Sequence, residues 1–430
     1  MTVTAVAGAN WGDEGKGKVT DILAADASFV VRYQGGSNAG HTIMNDYGKF
    51  VLRMLPSGVF YPSATNVIGP GTALDIEVLL HELAELEKRG VPAPAIAISD
   101  RAQVVMPYHR LFDRLEEERL GGASFGSTRR GIAPFYADKY AKLGVQASDL
   151  YDEDRLRRRL EQSLASKNVL LRHLYGHEPL SAEALLPELM ASGARIARYV
   201  TDTTALLHRA RAAGQRIIVE GQLGALRDPD HGIYPFTTSS STLAGFASVG
   251  AGLPPGSIAD IVAVTKAYSS CVGAGPFVVE LHGPEAEELR RRGGDAGEYG
   301  AVTGRPRRVG WFDAVATRYG CSLQGATSVT LTNLDVLGYL AEIPVCEAYR
   351  LPDGTVTGDF PATAPLEAAE PVMTALPGWQ CDISAARSFD ELPPQAQAYV
   401  RRIETLLGVP ITRISVGPRR EQIISRIDCI

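Results

Sequence analysis

The stretch Val3-Thr-Ala-Val-Ala-Gly8-Ala-Asn-Trp-Gly-Asp13-Glu14-Gly15-Lys16-Gly17-Lys18-Val19-Thr-Asp21 decides the fold. Val3–Ala7 is a short apolar run ending at glycine, as a buried strand does. From Gly12 the sequence reads Gly-x4-Gly17-Lys18, the opening of a phosphate-binding loop between a strand and a helix, with the helix expected from near Val19. Glycines 12, 15 and 17 let backbone N–H groups turn inward, and Lys16 and Lys18 supply charge for phosphate oxygens. Two features depart from the pattern. Val19 stands where a Ser or Thr would hold Mg²⁺, and Asp13-Glu14 puts carboxylates where phosphates belong. An exposed acidic pair is the bland reading. A functional Asp13 answers both departures, as a metal ligand or as a base beside the phosphates.

Further runs of the same kind occur at Phe29–Tyr33, Asn66–Ile68, Ala95–Ile98, Arg216–Val219, Ile261–Val264 and Val329–Leu331. Between them lie helical patterns. Ile76, Leu79, Leu80, Leu83 and Leu86 form one stripe with Asp75 as N-cap and Gly90 as stop, and Arg155–Leu164 and Leu185–Ala213 also have helical periodicity. Alternation of this kind predicts an α/β fold with a large, mostly parallel central sheet flanked by helices. Smaller helical and loop subdomains fit the remaining sequence. No repeat or low-complexity linker divides the chain, so residues 1–430 are expected to form a single domain with insertions.

Bulk properties narrow the function. The chain has 430 residues and a net charge of −6, which excludes the global basic field of nucleic-acid binders. The Arg157–Arg159 and Arg290–Arg292 clusters are expected to be solvated faces or local anion contacts. Five scattered cysteines without CxxC spacing argue for a reducing compartment and against structural zinc. With no signal-peptide pattern and no long apolar run, a cytoplasmic location is expected. His173 and His177 have ligand spacing but no third ligand, and are expected to be a coincidental pair.

Three more constellations follow strand ends. Tyr33-Gln-Gly-Gly-Ser-Asn38-Ala-Gly40-His41-Thr42 should face the first loop across the crevice at the carboxyl edge of the sheet, with His41 as a general acid. In Leu331-Thr-Asn333-Leu-Asp335, a carboxylate can accept two N–H bonds from a guanine edge. Thr303-Gly-Arg305-Pro-Arg307-Arg308 suits bidentate capture of carboxylate or phosphate, with a surface basic loop as the alternative.

Together with Asp228-Pro-Asp-His231-Gly-Ile-Tyr-Pro-Phe-Thr-Thr238-Ser-Ser-Ser-Thr242, Lys266-Ala-Tyr-Ser-Ser-Cys271-Val-Gly-Ala-Gly-Pro-Phe277 and Ser415-Val-Gly417-Pro-Arg-Arg420, these motifs resemble the adenylosuccinate synthetase family from about Val3 to Arg420. The resemblance implies a homodimer that joins L-aspartate to IMP with GTP and Mg²⁺. It implies Asp13 as the base at the purine N1 and a metal contact, His41 as acid, Lys16 as phosphoryl clamp, and Gly40 as a carbonyl ligand of the metal. It implies a GTP site from Gly12, Glu14, Gly15, Lys16, Gly17, Lys18, Gly40, Thr42, Asn333, Asp335, Ser415 and Gly417. Asn38, Thr128, Thr238 and Arg305 would meet the acceptor nucleotide, with Lys142 near the partner subunit's site. Val302, Thr303, Arg305 and Arg307 would hold aspartate.

Departures from the family pattern cluster around the acceptor. The family's EGAQGTLLD is Glu220-Gly-Gln222-Leu223-Gly-Ala-Leu-Arg227-Asp228 here, so Leu223 takes the place of the base-reading glutamine and Gln222 precedes it. Arg129 and Ala133 replace glycines of STGRGIGPAY, Lys142 replaces an arginine, Cys271 replaces the arginine of KAYSTRVGAGPF, and Asn333 replaces the lysine of LTKLD. An IMP-like acceptor, as in purine-analogue nucleoside antibiotic biosynthesis, is therefore an alternative to IMP. A non-catalytic nucleotide-binding homologue is a second, opposed by the retained Asp13, Lys16 and His41.

Overall fold

The computed structural model describes residues 3–123, 125–294, 297–300, 304 and 306–426. Val302, Thr303, Arg305 and Cys429 lie outside them. Ten strands form one sheet: β1 (Val3–Gly8), β2 (Phe29–Arg32), β3 (Thr65–Ile68), β4 (Ala95–Ser99), β5 (Val200–Thr201), β6 (Ile217–Gly224), β7 (Ile258–Lys266), β8 (Ser328–Thr332), β9 (Ile411–Ser415) and β10 (Ile423–Ser425). Their order is β10-β9-β8-β7-β1-β6-β2-β3-β4-β5. Every pairing is parallel except that of β9 with β10. All seven runs expected as strands are in this sheet.

The two-residue period of β1 assigns its side chains to two layers. Val3, Ala5 and Ala7 pack on one face with Phe29, Val31, Val219 and Leu207 of the helix Thr203–Ala212. Val6 packs on the other with Val19, Leu23 and Ala24 of α1 (Lys16–Ala24). Both faces are covered, which is why these strands read as continuous apolar runs. A helical subdomain formed by Ile76–Lys88, Pro107–Leu120, Glu153–His173 and Ala182–Ile196 shares a separate core with the hairpin His41–Asn45/Gly48–Leu52. A smaller sheet built on Glu342–Arg350 and Glu370–Pro377 flanks the other side.

Asp75 caps Ile76–Lys88 by accepting from Val78 N at 3.3 Å, as expected, and Gly90 follows at φ 74°. Three expectations need correction. Helix α1 begins at Lys16 rather than near Val19, because Gly15 at φ 88° ends the loop early. The periodic stretch Leu185–Ala213 is not one helix: Ala182–Ile196 stops, β5 adds an edge strand, and Asp202 caps a new helix by accepting from Ala205 N at 3.0 Å. Arg155–Leu164 belongs to the first half of a longer helix, Glu153–His173.

Candidate functional site

Six parallel strands end on one edge, and their following loops carry most of the polar residues singled out above. After β1, Gly12 at φ 115° and Gly15 at φ 88° allow a turn that an L side chain would strain. Glu14 is buried and organises this loop from within. Its Oε1 accepts from Asn10 N at 3.0 Å and Gly12 N at 2.8 Å, and its Oε2 accepts from Lys16 Nζ at 2.7 Å. Lys16 also donates to Gly12 O at 3.0 Å, so two of its three hydrogens are held inside the loop.

Lys18 is held more completely. Its Nζ donates to Ser415 Oγ at 2.8 Å, Gly417 O at 2.7 Å and Gln422 O at 2.9 Å, which uses all three hydrogens. Burial lowers its pKa to about 8. These bonds fasten α1 to the segment after β9. Arg420 reinforces that joint with a bidentate pair to Asp21 at 2.7 and 2.9 Å.

Asp13 stays a quarter exposed, with Arg307 Nε 3.3 Å from its Oδ2. Arg307 is itself fixed by Glu298 at 2.6 Å. Burial alone would raise the Glu298 carboxyl, but Lys266 and Arg307 hold it down at about 2. The basic loop thus meets the phosphate loop through Arg307, while Val302, Thr303 and Arg305 lie outside the described residues.

The second loop faces the first, as expected. A Cβ on Gly17 would sit 2.9 Å from His41 Cβ, so only glycine allows the hairpin to close on α1. His41 Nδ1 makes a short hydrogen bond to Glu220, whose carboxylate also accepts from Ser57 N at 2.8 Å. Burial lowers the pKa of His41, opposed by Glu220. Its Nε2 has no partner among the described residues and is the ring atom left to meet a ligand. Glu220 was not singled out by sequence; a charged residue inside a mostly apolar strand was the available signal. Asn38 Oδ1 likewise has no partner among the described residues. Gly40 and Thr42 border the same crevice, partly exposed.

Gln222 requires a correction. It is fully buried, its Oε1 accepts from Gly36 N at 2.9 Å, and its Nε2 donates to Gly36 O at 2.8 Å and Ala39 O at 3.0 Å. It shapes the second loop and does not line the acceptor pocket. Leu223 points elsewhere, against Gly12, at φ 63°. A left-handed leucine costs roughly 1–2 kcal/mol, so this position is strained.

Thr128 and Thr238 are set by neighbours. Ser127 Oγ donates to Asp113 at 2.5 Å, and Arg129 follows at φ 56° where a glycine would be unstrained. Thr238 N donates to Arg227 O at 2.9 Å. Lys142 lies exposed at the end of the helix Ile132–Ala141, remote in sequence from every strand end. Asn333, at φ 58°, adopts the left-handed turn that Asn tolerates. Asp335 follows it, its pKa raised to about 6 by burial.

The other expectations are simpler. Arg157 pairs with Glu153 and Glu183, and Arg291 and Arg292 with Glu288, as solvated faces do. Among the described residues there is no cluster of three or more His, Cys, Asp or Glu that could hold a metal, and no helix long and apolar enough to cross a membrane.

Comparison with known proteins gives this arrangement a context. A family model described as adenylosuccinate synthetase matches residues 5–424. A protein of that name from Heliobacterium modesticaldum is 47% identical over 424 residues, covering 99% of each chain. Another, from Thermomicrobium roseum, is 48% identical over 428 residues, again covering 99% of each. The structure of fully ligated adenylosuccinate synthetase from Plasmodium falciparum superposes with a TM-score of 0.91 at 32% identity, covering 99% of this chain and 100% of that one. A cyanophage S-2L succinoaminodeoxyadenylate synthetase bound to dGMP and dATP has a TM-score of 0.61 at 20% identity, covering 99% and 95%, a likeness of fold alone.

Proposed function

The chain belongs to the adenylosuccinate synthetase family, and from that we propose how its own residues perform the family's reaction. The reaction is GTP-dependent ligation of L-aspartate to IMP, giving adenylosuccinate, GDP and phosphate. Nothing in the comparisons favours an IMP-like acceptor, an antibiotic pathway or a non-catalytic role.

Asp13 removes the N1 proton of IMP, which makes the 6-oxygen a nucleophile toward the γ-phosphate of GTP. Arg307 orients that carboxylate at 3.3 Å. His41, held at Nδ1 by Glu220, donates from Nε2 to the phosphoryl group in transfer as the imidazolium, the form that the Glu220 carboxylate favours against burial. Lys16 exchanges part of its contact with Glu14 for a phosphate oxygen. The aspartate amine then displaces the 6-phosphoryl group, with the aspartate carboxylates held by Val302, Thr303, Arg305 and Arg307. Asp335 reads guanine, while Asn333, Ser415 and Gly417 shape the edge of that pocket. Asn38, Thr128 and Thr238 hold the phosphate of IMP, and Lys142 reaches the partner subunit's site in a homodimer.

The family uses Mg²⁺. The residues here fit it: a hard carboxylate at Asp13 and a carbonyl at Gly40 border the crevice, and Mg²⁺ needs few protein ligands when phosphates supply the rest. When bound, the ion neutralises charge across the phosphates. We read residues 1–430 as one catalytic unit working in the cytoplasm.

The observation that carries this reading is the convergence of Asp13–Arg307 and Glu220–His41 at the carboxyl edge of one sheet. Release of phosphate that requires GTP, IMP and aspartate together tests it. GTP hydrolysis independent of IMP would sink it.

A further inference from the structure

Arg227, on the turn that follows β6, is buried, and among the described residues no carboxylate pairs with its guanidinium. Carbonyl oxygens receive it instead. It donates to Phe236 O in a short bond, to Val272 O at 2.5 Å and to Ala274 O at 3.5 Å, while its Nη2 lies 2.9 Å from Cys271 Sγ. From the other side, Arg308 donates to Gly275 O at 2.8 Å and Gly273 O at 3.3 Å. The turn 272–275 is therefore gripped by alternate carbonyls, and Gly273 and Gly275, at φ 92° and 105°, permit that zigzag.

The same residue governs the neighbouring loops. Thr238 N donates to the carbonyl of Arg227 at 2.9 Å. The Phe236 ring meets Phe125 edge-on at 6.3 Å, three residues before Thr128. One side chain thus registers the turn 272–275 against both threonine segments proposed to hold the acceptor phosphate. In the family pattern quoted above, leucine stands at position 227 and arginine at position 271. With Nη2 already 2.9 Å from Cys271 Sγ, an arginine grown from position 271 would enter the same space. Two guanidiniums cannot share it, whereas one from either side can fill it.

We propose that Arg227 is a positioning residue for the acceptor nucleotide, its guanidinium supplied from position 227 in place of position 271. The proposal rests on the ligase reading above. It is tested with Arg227→Leu, Cys271→Arg, the double variant Arg227→Leu/Cys271→Arg, and Arg227→Lys, each checked by thermal unfolding. Arg227→Leu should raise KM for IMP about tenfold, with kcat and KM for GTP within about threefold of the parent. Arg227→Lys should fall between Arg227→Leu and the parent. The double variant should bring KM for IMP back to within about threefold, and Cys271→Arg alone should be worse than the double. If Arg227→Leu does not fold, a folded double variant with a near-parental KM supports the exchange. An unchanged KM for IMP in Arg227→Leu, or a double variant no better than Arg227→Leu, overturns it. Failure of the parent protein to use IMP would count against the ligase reading instead.

Discussion

Asp13 and Asp335 are both carboxylates at strand ends, yet their surroundings give them different tasks. Asp13 is quarter-exposed and faces Arg307, which holds it at the mouth of the crevice. Asp13→Asn should lower kcat by about 10³ with little change in KM for GTP, measured by steady-state adenylosuccinate formation. A kcat within tenfold of the parent would remove Asp13 from the chemistry. Asp335 is pushed up to about 6 by burial. Only its ionised form can accept both guanine N–H groups, so GTP affinity should be full above that pH and fall as pH drops through it. The pH profile of KM for GTP reads this directly. Asp335→Asn should raise that KM on the order of a hundredfold and remove the acid limb. A profile unaltered by the substitution would contradict the assignment.

At the scale of elements, α1 and the helix capped by Asp75 carry the loops to their places. Lys18 makes its three bonds to the segment 415–422. Lys18→Met should therefore raise KM for GTP by loosening Ser415 and Gly417, while kcat at saturating GTP stays within about tenfold. A loss of kcat as large as that of Lys16→Met would place Lys18 at the phosphates. Asp75 caps its helix, accepts from Ser37 Oγ at 2.6 Å and pairs with Arg110 at 2.5 Å. Asp75→Ala should cost about 2 kcal/mol in urea unfolding and raise KM for IMP, because Ser37 adjoins Asn38. A stability loss with unchanged KM would confine Asp75 to the fold.

These elements also show what sequence can and cannot disclose. Parallel strands such as β1 and β6 are legible because both faces are buried and their side chains are mostly apolar. β5 is two residues long inside a helical period, and only a tertiary neighbour, β4, makes it a strand. The loops of the site were legible as glycine-rich polar stretches at strand ends. Their internal partnerships were not: Glu220 lies 179 residues from His41, and nothing local marks Gln222 as a scaffold for Gly36. The bonds of Lys18 to Ser415, Gly417 and Gln422 were equally hidden, because a motif records charge and not where its hydrogens point.

For the whole molecule, the sheet brings the ends of β1, β2, β6, β7, β8 and β9 to one edge. If Lys142 serves the partner's site, two inactive variants should complement each other. Mixing Asp13→Asn with Lys142→Ala subunits should recover about a quarter of parental activity, since half the dimers are mixed and each holds one intact site. No recovery in verified mixed dimers would place Lys142 outside the reaction. The central claim is that the phosphoryl group passes through the 6-oxygen of the purine. IMP carrying ¹⁸O at position 6, turned over with GTP and aspartate, should deliver the label into inorganic phosphate, one atom per adenylosuccinate formed. Label appearing in water, with unlabelled phosphate, would contradict it.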